Sequence, residues 1–163
     1  LKVAEGYRYL NKITTPNLEQ VFGRDLFENM HKLMQPTRNQ KGIEMEIILK
    51  DPELMLDVDT NLIEQVLINL IVNAIEAVKE GEHPKIILSA SQSANNKVTI
   101  KVSDNGSGMN EEVMENIFIP FFSTKKNGSG IGLSLCKQIM MLHKGNISVQ
   151  SVESKGTAFA LQF

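Results

Sequence analysis

One cysteine, no tryptophan and an aromatic share of 6% are what this chain of 163 residues has least of. The single thiol, Cys136, excludes an internal disulfide and cannot build a cysteine metal cluster. It falls in a stretch of helical period, so it reads as a buried, inert thiol. Neither charge sign is in excess: 17 Lys and Arg stand against 19 Asp and Glu, a net charge of -2. That balance offers no basic face to nucleic acid or to an anionic membrane. No long apolar run is present either. The richest stretch, residues 62–78, is interrupted by Asn, Gln and Glu and reads as too polar to span a bilayer. The chain starts at Leu1 with no signal peptide, so it is expected to be a fragment of a longer protein, whose sensor or membrane parts would lie elsewhere. A Walker phosphate loop is also missing, because no Lys-Ser or Lys-Thr follows the last glycine of the glycine-rich run at 128–132.

What is there is an ordinary globular composition, 42% apolar and 22% charged, enough for one full core. Residues 1–23 lack a clean periodic face and read as a linker, the stub of an upstream helix; residues 24–163 read as the domain. A helix is expected over 24–41, kinked or shortened by Pro36. Strands follow at 43–49 and 54–58, and Asp59 and Thr60 offer caps for a helix running to about Lys79. The core stripe of that helix is Ile63, Val66, Leu67, Leu70, Ile71, Ala74 and Val78. Strands at 85–90 and 98–102 turn at Asn95 and Asn96. Residues 104–130 form a long loop around a short helix near 111–115, a length usually reserved for function. A helix over 131–142 and a hairpin of 147–151 with 157–163 close the chain.

Four clusters carry chemistry. Gln65, Asn69, Asn73 and Glu76 share one narrow polar stripe of the long helix, away from its core stripe. Asparagine is a mediocre helix former, so two of them one turn apart either point amides into a cleft or lie on a solvated face. An amide oxygen in a cleft suits Mg²⁺ that is held mainly by phosphates and water. Asp104-Asn105-Gly106-Ser107-Gly108 ends a strand. It is either turn chemistry or a carboxylate that accepts from an exocyclic amine while glycines let backbone approach the base. Phe121-Phe122 comes next. Gly128-Ser129-Gly130-Ile131-Gly132-Leu133 then runs into a helix whose first N–H groups can hold phosphate. Lys125 and Lys126, just upstream, either reach phosphates or are plain surface lysines.

In order, Asn69-Leu-Ile-Val-Asn73-Ala-Ile-Glu76-Ala, Asp104 to Gly108, Ile117-Phe-Ile-Pro-Phe121-Phe122, Gly128 to Leu133 and Gly156-Thr157 resemble the N, G1, F, G2 and G3 boxes of bacterial sensor histidine kinases. The resemblance covers residues from about 25 to 163, and a short lid with Phe-Phe-Ser-Thr-Lys looks like the nitrogen-regulator subgroup. It implies an α+β fold, a two-layer α/β sandwich of the Bergerat type with a mixed, mostly antiparallel sheet packed against three helices. It implies ATP and Mg²⁺ as cofactors. Asn73 would hold the metal against the phosphates, supported by Asn69, with Glu76 and Ala77 on the same helix. Asp104 would accept from the adenine amine, with Gly106 and Gly108 shaping the base pocket, Thr157 backing the water near Asp104, and Met109 and Ile117 also binding ATP. Residues 123–129 would be the lid, where Thr124, Lys125 and Lys126 reach the nucleotide. Gly128, Gly130 and Gly132, with the following helix start, would hold the phosphates, and Ser129, Ile131 and Leu133 would also belong to the ATP site. Phe121 and Phe122 would dock on the acceptor hairpin, the plainer reading being buried core.

Relatives of this fold that hydrolyse ATP resemble one another in a Glu one helical turn before the metal-binding Asn. Here that position is Asn69, and an amide is no general base. Phosphoryl transfer to a positioned acceptor is therefore expected, with Asn69, Asn73 and Lys125 as the catalytic set; the alternatives are an ATPase or serine kinase of the same superfamily, or a non-catalytic ATP-sensing docking module. Among the three histidines, His31 sits in His-Lys-Leu-Met-Gln-Pro36, where Lys32 replaces the acidic neighbour such an acceptor needs; His83 lies in a turn. His143 lies at a helix end, where a cation suits the dipole. The acceptor is therefore expected on a dimerisation domain outside the chain, with a response regulator downstream. The chain alone is expected to bind ATP without autophosphorylating, in the cytoplasm, touching neither nucleic acid nor membrane.

Overall fold

The longest helix is the spine of the molecule, and its sequence explains why. A computed structural model describes residues 15–124 and 130–163. The helix Thr60–Val78 buries Ile63, Val66, Leu67, Leu70, Ile71, Ala74, Ile75 and Val78 along one face. Each large side chain withdrawn from water contributes about 1.5–3 kcal/mol, so this stripe dominates the core. Asp59 caps the helix by accepting from the Leu62 N–H at 3.2 Å, and its second oxygen accepts from the Asn17 N–H at 2.8 Å. By length and apolar composition this helix could cross a membrane, contrary to the expectation that no stretch could. Its buried stripe makes it the core helix of this fold instead.

Numbered in chain order, the strands are β1 (Glu19–Phe22), β2 (Glu44–Leu49), β3 (Met55–Val58), β4 (Lys85–Gln92), β5 (Val98–Asp104), β6 (Asn146–Val152) and β7 (Gly156–Gln162). The helices are α1 (Gly23–Leu33), α2 (Gln35–Lys41), α3 (Thr60–Val78), α4 (Glu111–Asn116) and α5 (Gly132–Leu142). Pro36, in the first turn of α2, breaks the expected single helix in two at Met34. Five strands form one sheet in the order β2-β4-β5-β7-β6, with β2 and β4 parallel and every other pair antiparallel. Alternation sends Ile86, Leu88, Val98, Ile100, Val102, Phe159 and Leu161 to the inner face. There they meet α1, α3 and α5, giving two layers around one core. The stretch read as linker holds one surprise: β1 pairs antiparallel with β3, Glu19 opposite Val58.

His143 corrects a second expectation. The Asp59 N–H donates to its Nε2 at 3.0 Å, and its Nδ1 lies 2.8 Å from the Ile139 carbonyl oxygen. An acceptor at Nε2 and a donor at Nδ1 define the neutral Nδ1–H tautomer, not a cation. The ring thus ties the C-terminal end of α5 to the cap of α3, with Phe163 edge-on at 6.3 Å. Replacing His143 by alanine is expected to lower stability by about 1–3 kcal/mol, because the Asp59 N–H loses its partner. Urea unfolding measures this, and a change below the error of the fit would contradict it.

Candidate functional site

α3 turns Asn69, Asn73 and Glu76 of its second, polar stripe into a cavity of about 340 Å³, a size suited to a small-molecule ligand. Asn69, Val72, Asn73, Glu76 and Ala77 form one wall. The floor is Asp104, Thr157 and Phe159, because the β5–β7 register sets Asp104 directly opposite Thr157. Met109, Val113, Ile117 and Phe122 form the wall across from α3, and Gly130, Gly132 and Leu133 close the end where α5 begins. Three expected clusters, far apart in sequence, thus face one space.

Asp104 is the acidic group of the floor. Burial pushes its carboxyl above the usual carboxylate range, against the opposing pull of the Gly106 and Thr157 backbone N–H groups. The Gly106 N–H donates to Oδ1 at 2.8 Å. Gly106 itself does not line the cavity. A Cβ there would sit 2.4 Å from the Ala77 carbonyl oxygen, so this glycine lets the turn after β5 touch α3 backbone to backbone. Ser107 continues the contact, its N–H donating to Ala77 O at 3.1 Å.

Ser151 went unnoticed in the sequence. Its Oγ accepts from the Met109 N–H at 2.8 Å, lies 2.7 Å from Thr157 Oγ1 and donates to the Gly156 carbonyl at 3.1 Å. A serine on a hairpin strand carries no sequence signal of this kind. Phe159 was findable, because it sits two residues beyond Thr157 on the same face of β7. Val72 was findable too, three residues past Asn69 on one helix face. Phe159 is held edge-on by Phe118, ring centroids 6.3 Å apart.

At the other end, behind Asn69, the Cys136 thiol donates to the Val66 carbonyl at 3.9 Å, and burial pushes its pKa up to about 12. Cys136 is therefore the inert buried thiol expected. A Cβ on Gly132 would lie 3.6 Å from Asn69 Oδ1, so the start of α5 stands beside this asparagine. That helix begins without a side-chain cap, which leaves its first turn suited to an anion.

Some expected residues fall elsewhere. Ile131 is buried in the core at 7% exposure and does not line the cavity with its side chain. The phenylalanine pair divides: Phe121 is exposed, whereas Phe122 is half-buried on the cavity wall. Thr124 lines the mouth, and Glu76, also there, pairs with Lys79. Lys125, Lys126, Gly128 and Ser129 lie outside the described residues. None of the three histidines lines the cavity. On α1, burial and the Arg38 charge lower the pKa of His31 below its usual value.

A nucleotide-sized cavity between a two-asparagine helix and a strand-end aspartate defines the class. The chain belongs to the histidine kinase-, DNA gyrase B- and HSP90-like ATPase family, whose model matches residues 58–163. Within that family it is an ATP-binding catalytic domain of the sensor histidine kinase type. It is 35% identical over 152 residues to the sensor histidine kinase ZraS of Escherichia coli K12, covering 93% of this chain and 32% of ZraS. With sporulation kinase D of Bacillus subtilis the identity is 30% over 157 residues, covering 96% of this chain and 30% of the kinase. The chain therefore spans less than a third of the length of either relative. Among solved structures, the catalytic domain of histidine kinase ThkA is similar with a TM-score of 0.81 and 32% identity, covering 90% of this chain and 95% of that one. ThkA in complex with the response regulator TrrA gives a TM-score of 0.84 at 28% identity, covering 99% of this chain and 46% of that one.

Proposed function

We propose that this chain is the catalytic half of a cytoplasmic protein histidine kinase, passing the γ-phosphoryl group of ATP to a histidine on a dimerisation domain. The unit takes in β1 and runs from about residue 19 to 163, and a response regulator takes the phosphoryl group afterwards. The observation that carries this reading is the cavity wall of α3, where Asn73 is present and Asn69 occupies the place of a hydrolytic base. Asp104 and Thr157 recognise the adenine, and the first turn of α5 with Gly130 and Gly132 receives the phosphates. Lys125 and Lys126 act from the segment between Thr124 and Gly130. Without a base for water, catalysis rests on positioning and charge neutralisation.

Magnesium fits this wall through ligand chemistry. Among the described residues no group of three or more His, Cys, Asp or Glu could hold a metal alone. An ion coordinated chiefly by phosphates and water, with one amide oxygen from Asn73, needs no such group. When bound it neutralises phosphate charge. Asn73→Ala is expected to remove the magnesium-dependent part of ATP affinity, a loss of about tenfold. Calorimetry with and without Mg²⁺ reads this directly, and an unchanged difference between the two would count against the assignment. Exposed Phe121 supports docking on the acceptor helices, with Phe122 holding the cavity side.

The kinase reading is tested in single turnover. Supplied with a separate phosphoacceptor domain, the chain should transfer label to it as an acid-labile, base-stable phosphate, and should neither label itself nor hydrolyse ATP quickly. Fast hydrolysis by the chain alone would overturn the proposal.

A further inference from the structure

The hydroxyl of Ser151 meets three partners at once, and counting its hydrogens decides the polarity of the nucleotide floor. A serine hydroxyl has one proton to give and two lone pairs. The Met109 N–H takes one lone pair at 2.8 Å. The Gly156 carbonyl, 3.1 Å away, is acceptor-only and takes the proton. Either hydroxyl could donate across the 2.7 Å to Thr157 Oγ1; with the Ser151 proton on the Gly156 carbonyl, the donor is Thr157. This is the arrangement that keeps all three bonds of Ser151. If Ser151 gave its proton to Thr157 instead, the Gly156 carbonyl would lose that bond. Thr157 has only one proton, so with it committed to Ser151 the hydroxyl shows only lone pairs to the cavity it lines. Asp104, directly opposite in register, is also an acceptor when ionised. The two together form an acceptor-only corner.

We infer that Ser151 is a specificity-determining, positioning residue: by holding the Thr157 proton away from the ligand, it makes this corner select a purine that donates from position 6, a 6-aminopurine, over one that accepts there, a 6-oxopurine. Ser151 does not line the cavity and acts through Thr157. The inference rests on the reading of Asp104 and Thr157 as the base-recognising end of the site.

The test compares affinities for ATP and inosine triphosphate, each with Mg²⁺, in the unaltered chain and in Ser151→Ala, Ser151→Thr and Asp104→Asn. In Ser151→Ala the Thr157 hydroxyl is released to donate into the cavity. The preference for ATP over inosine triphosphate is expected to narrow about tenfold, the worth of one hydrogen bond whose direction has reversed. Ser151→Thr keeps a hydroxyl and should restore the preference. A purely structural role would weaken both nucleotides alike and leave their ratio unchanged, and that result overturns the inference. If the unaltered chain shows no preference, or Asp104→Asn leaves the preference intact, the reading of the base-recognising end fails instead. Thermal melts of each variant confirm that the folded chain is being compared.

Discussion

Asp104→Asn is expected to weaken ATP binding by about a hundredfold, the combined loss of a charged acceptor and the approach of an amide donor to the adenine amine. The same substitution should leave the ligand-free fold intact. Asparagine keeps an oxygen to accept the Gly106 N–H, and the native carboxyl is already a strained choice for stability. Its folded pKa is raised by burial. A carboxyl of that kind favours the fold while protonated, and the advantage is lost as pH rises from the ordinary carboxylate pKa through its own raised one. At neutral pH the asparagine variant should therefore be at least as stable as the native chain while binding ATP poorly. Recognition runs the opposite way with pH, because only the ionised form is a charged acceptor with no proton of its own to set against the adenine amine. Native affinity should be full above the raised pKa and fall as pH drops through it, starting at higher pH than an ordinary carboxylate would allow. Titration calorimetry across the acid range, set beside the asparagine variant, separates this carboxyl from protonation of the nucleotide. Equal affinities of the two proteins at neutral pH would remove Asp104 from the site.

Gly106→Val should act on the fold before it acts on the ligand. The first added carbon lies 2.4 Å from Ala77 O, 2.5 Å from its carbonyl carbon and 2.8 Å from its Cβ. Backbone cannot swing aside as a flexible side chain can, so α3 and the turn after β5 must move apart. The expected cost is about 3 kcal/mol or more, a large share of the stability of an ordinary domain. Ala77 lines the cavity, so the displaced wall should also weaken ATP binding in whatever fraction stays folded. Urea unfolding measures the first effect. A midpoint matching the native chain would mean that turn and helix are not in backbone contact.

Much of this architecture was legible in the sequence. The core stripe of α3 and the alternation of β4, β5 and β7 obey simple periods, and each is buried as those periods require. The asparagine stripe left two readings open on the helix alone, and the tertiary fold resolves them by setting Asn69 and Asn73 against the cavity. What stayed hidden depended on contacts between distant segments. β1 exists because Glu19–Phe22 finds β3 some thirty-six positions later, and its four residues carry no period of their own. Ser151 draws its role from Met109 and Thr157, and Gly106 from Ala77. Ile131 was read from its place in a glycine-rich run, but its side chain follows the helical core period instead. The state of His143 was misjudged because a helix end predicts a cation, whereas the Asp59 N–H asks for a lone pair.

The imidazole tie between Asp59 and α5 has a mechanical meaning. α3 and α5 are joined where one begins and the other ends, while Asn73 and the first turn of α5 stand at the far, open end. By helical rise, Asn73 lies about 20 Å along α3 from the knot, and α5 is a lever about 16 Å long. A tilt of about 5° about His143 swings the first turn of that lever by roughly 1.4 Å, half the length of a hydrogen bond. The tie at His143 therefore fixes, to within a hydrogen bond's length, where the first turn of α5 stands beside Asn69.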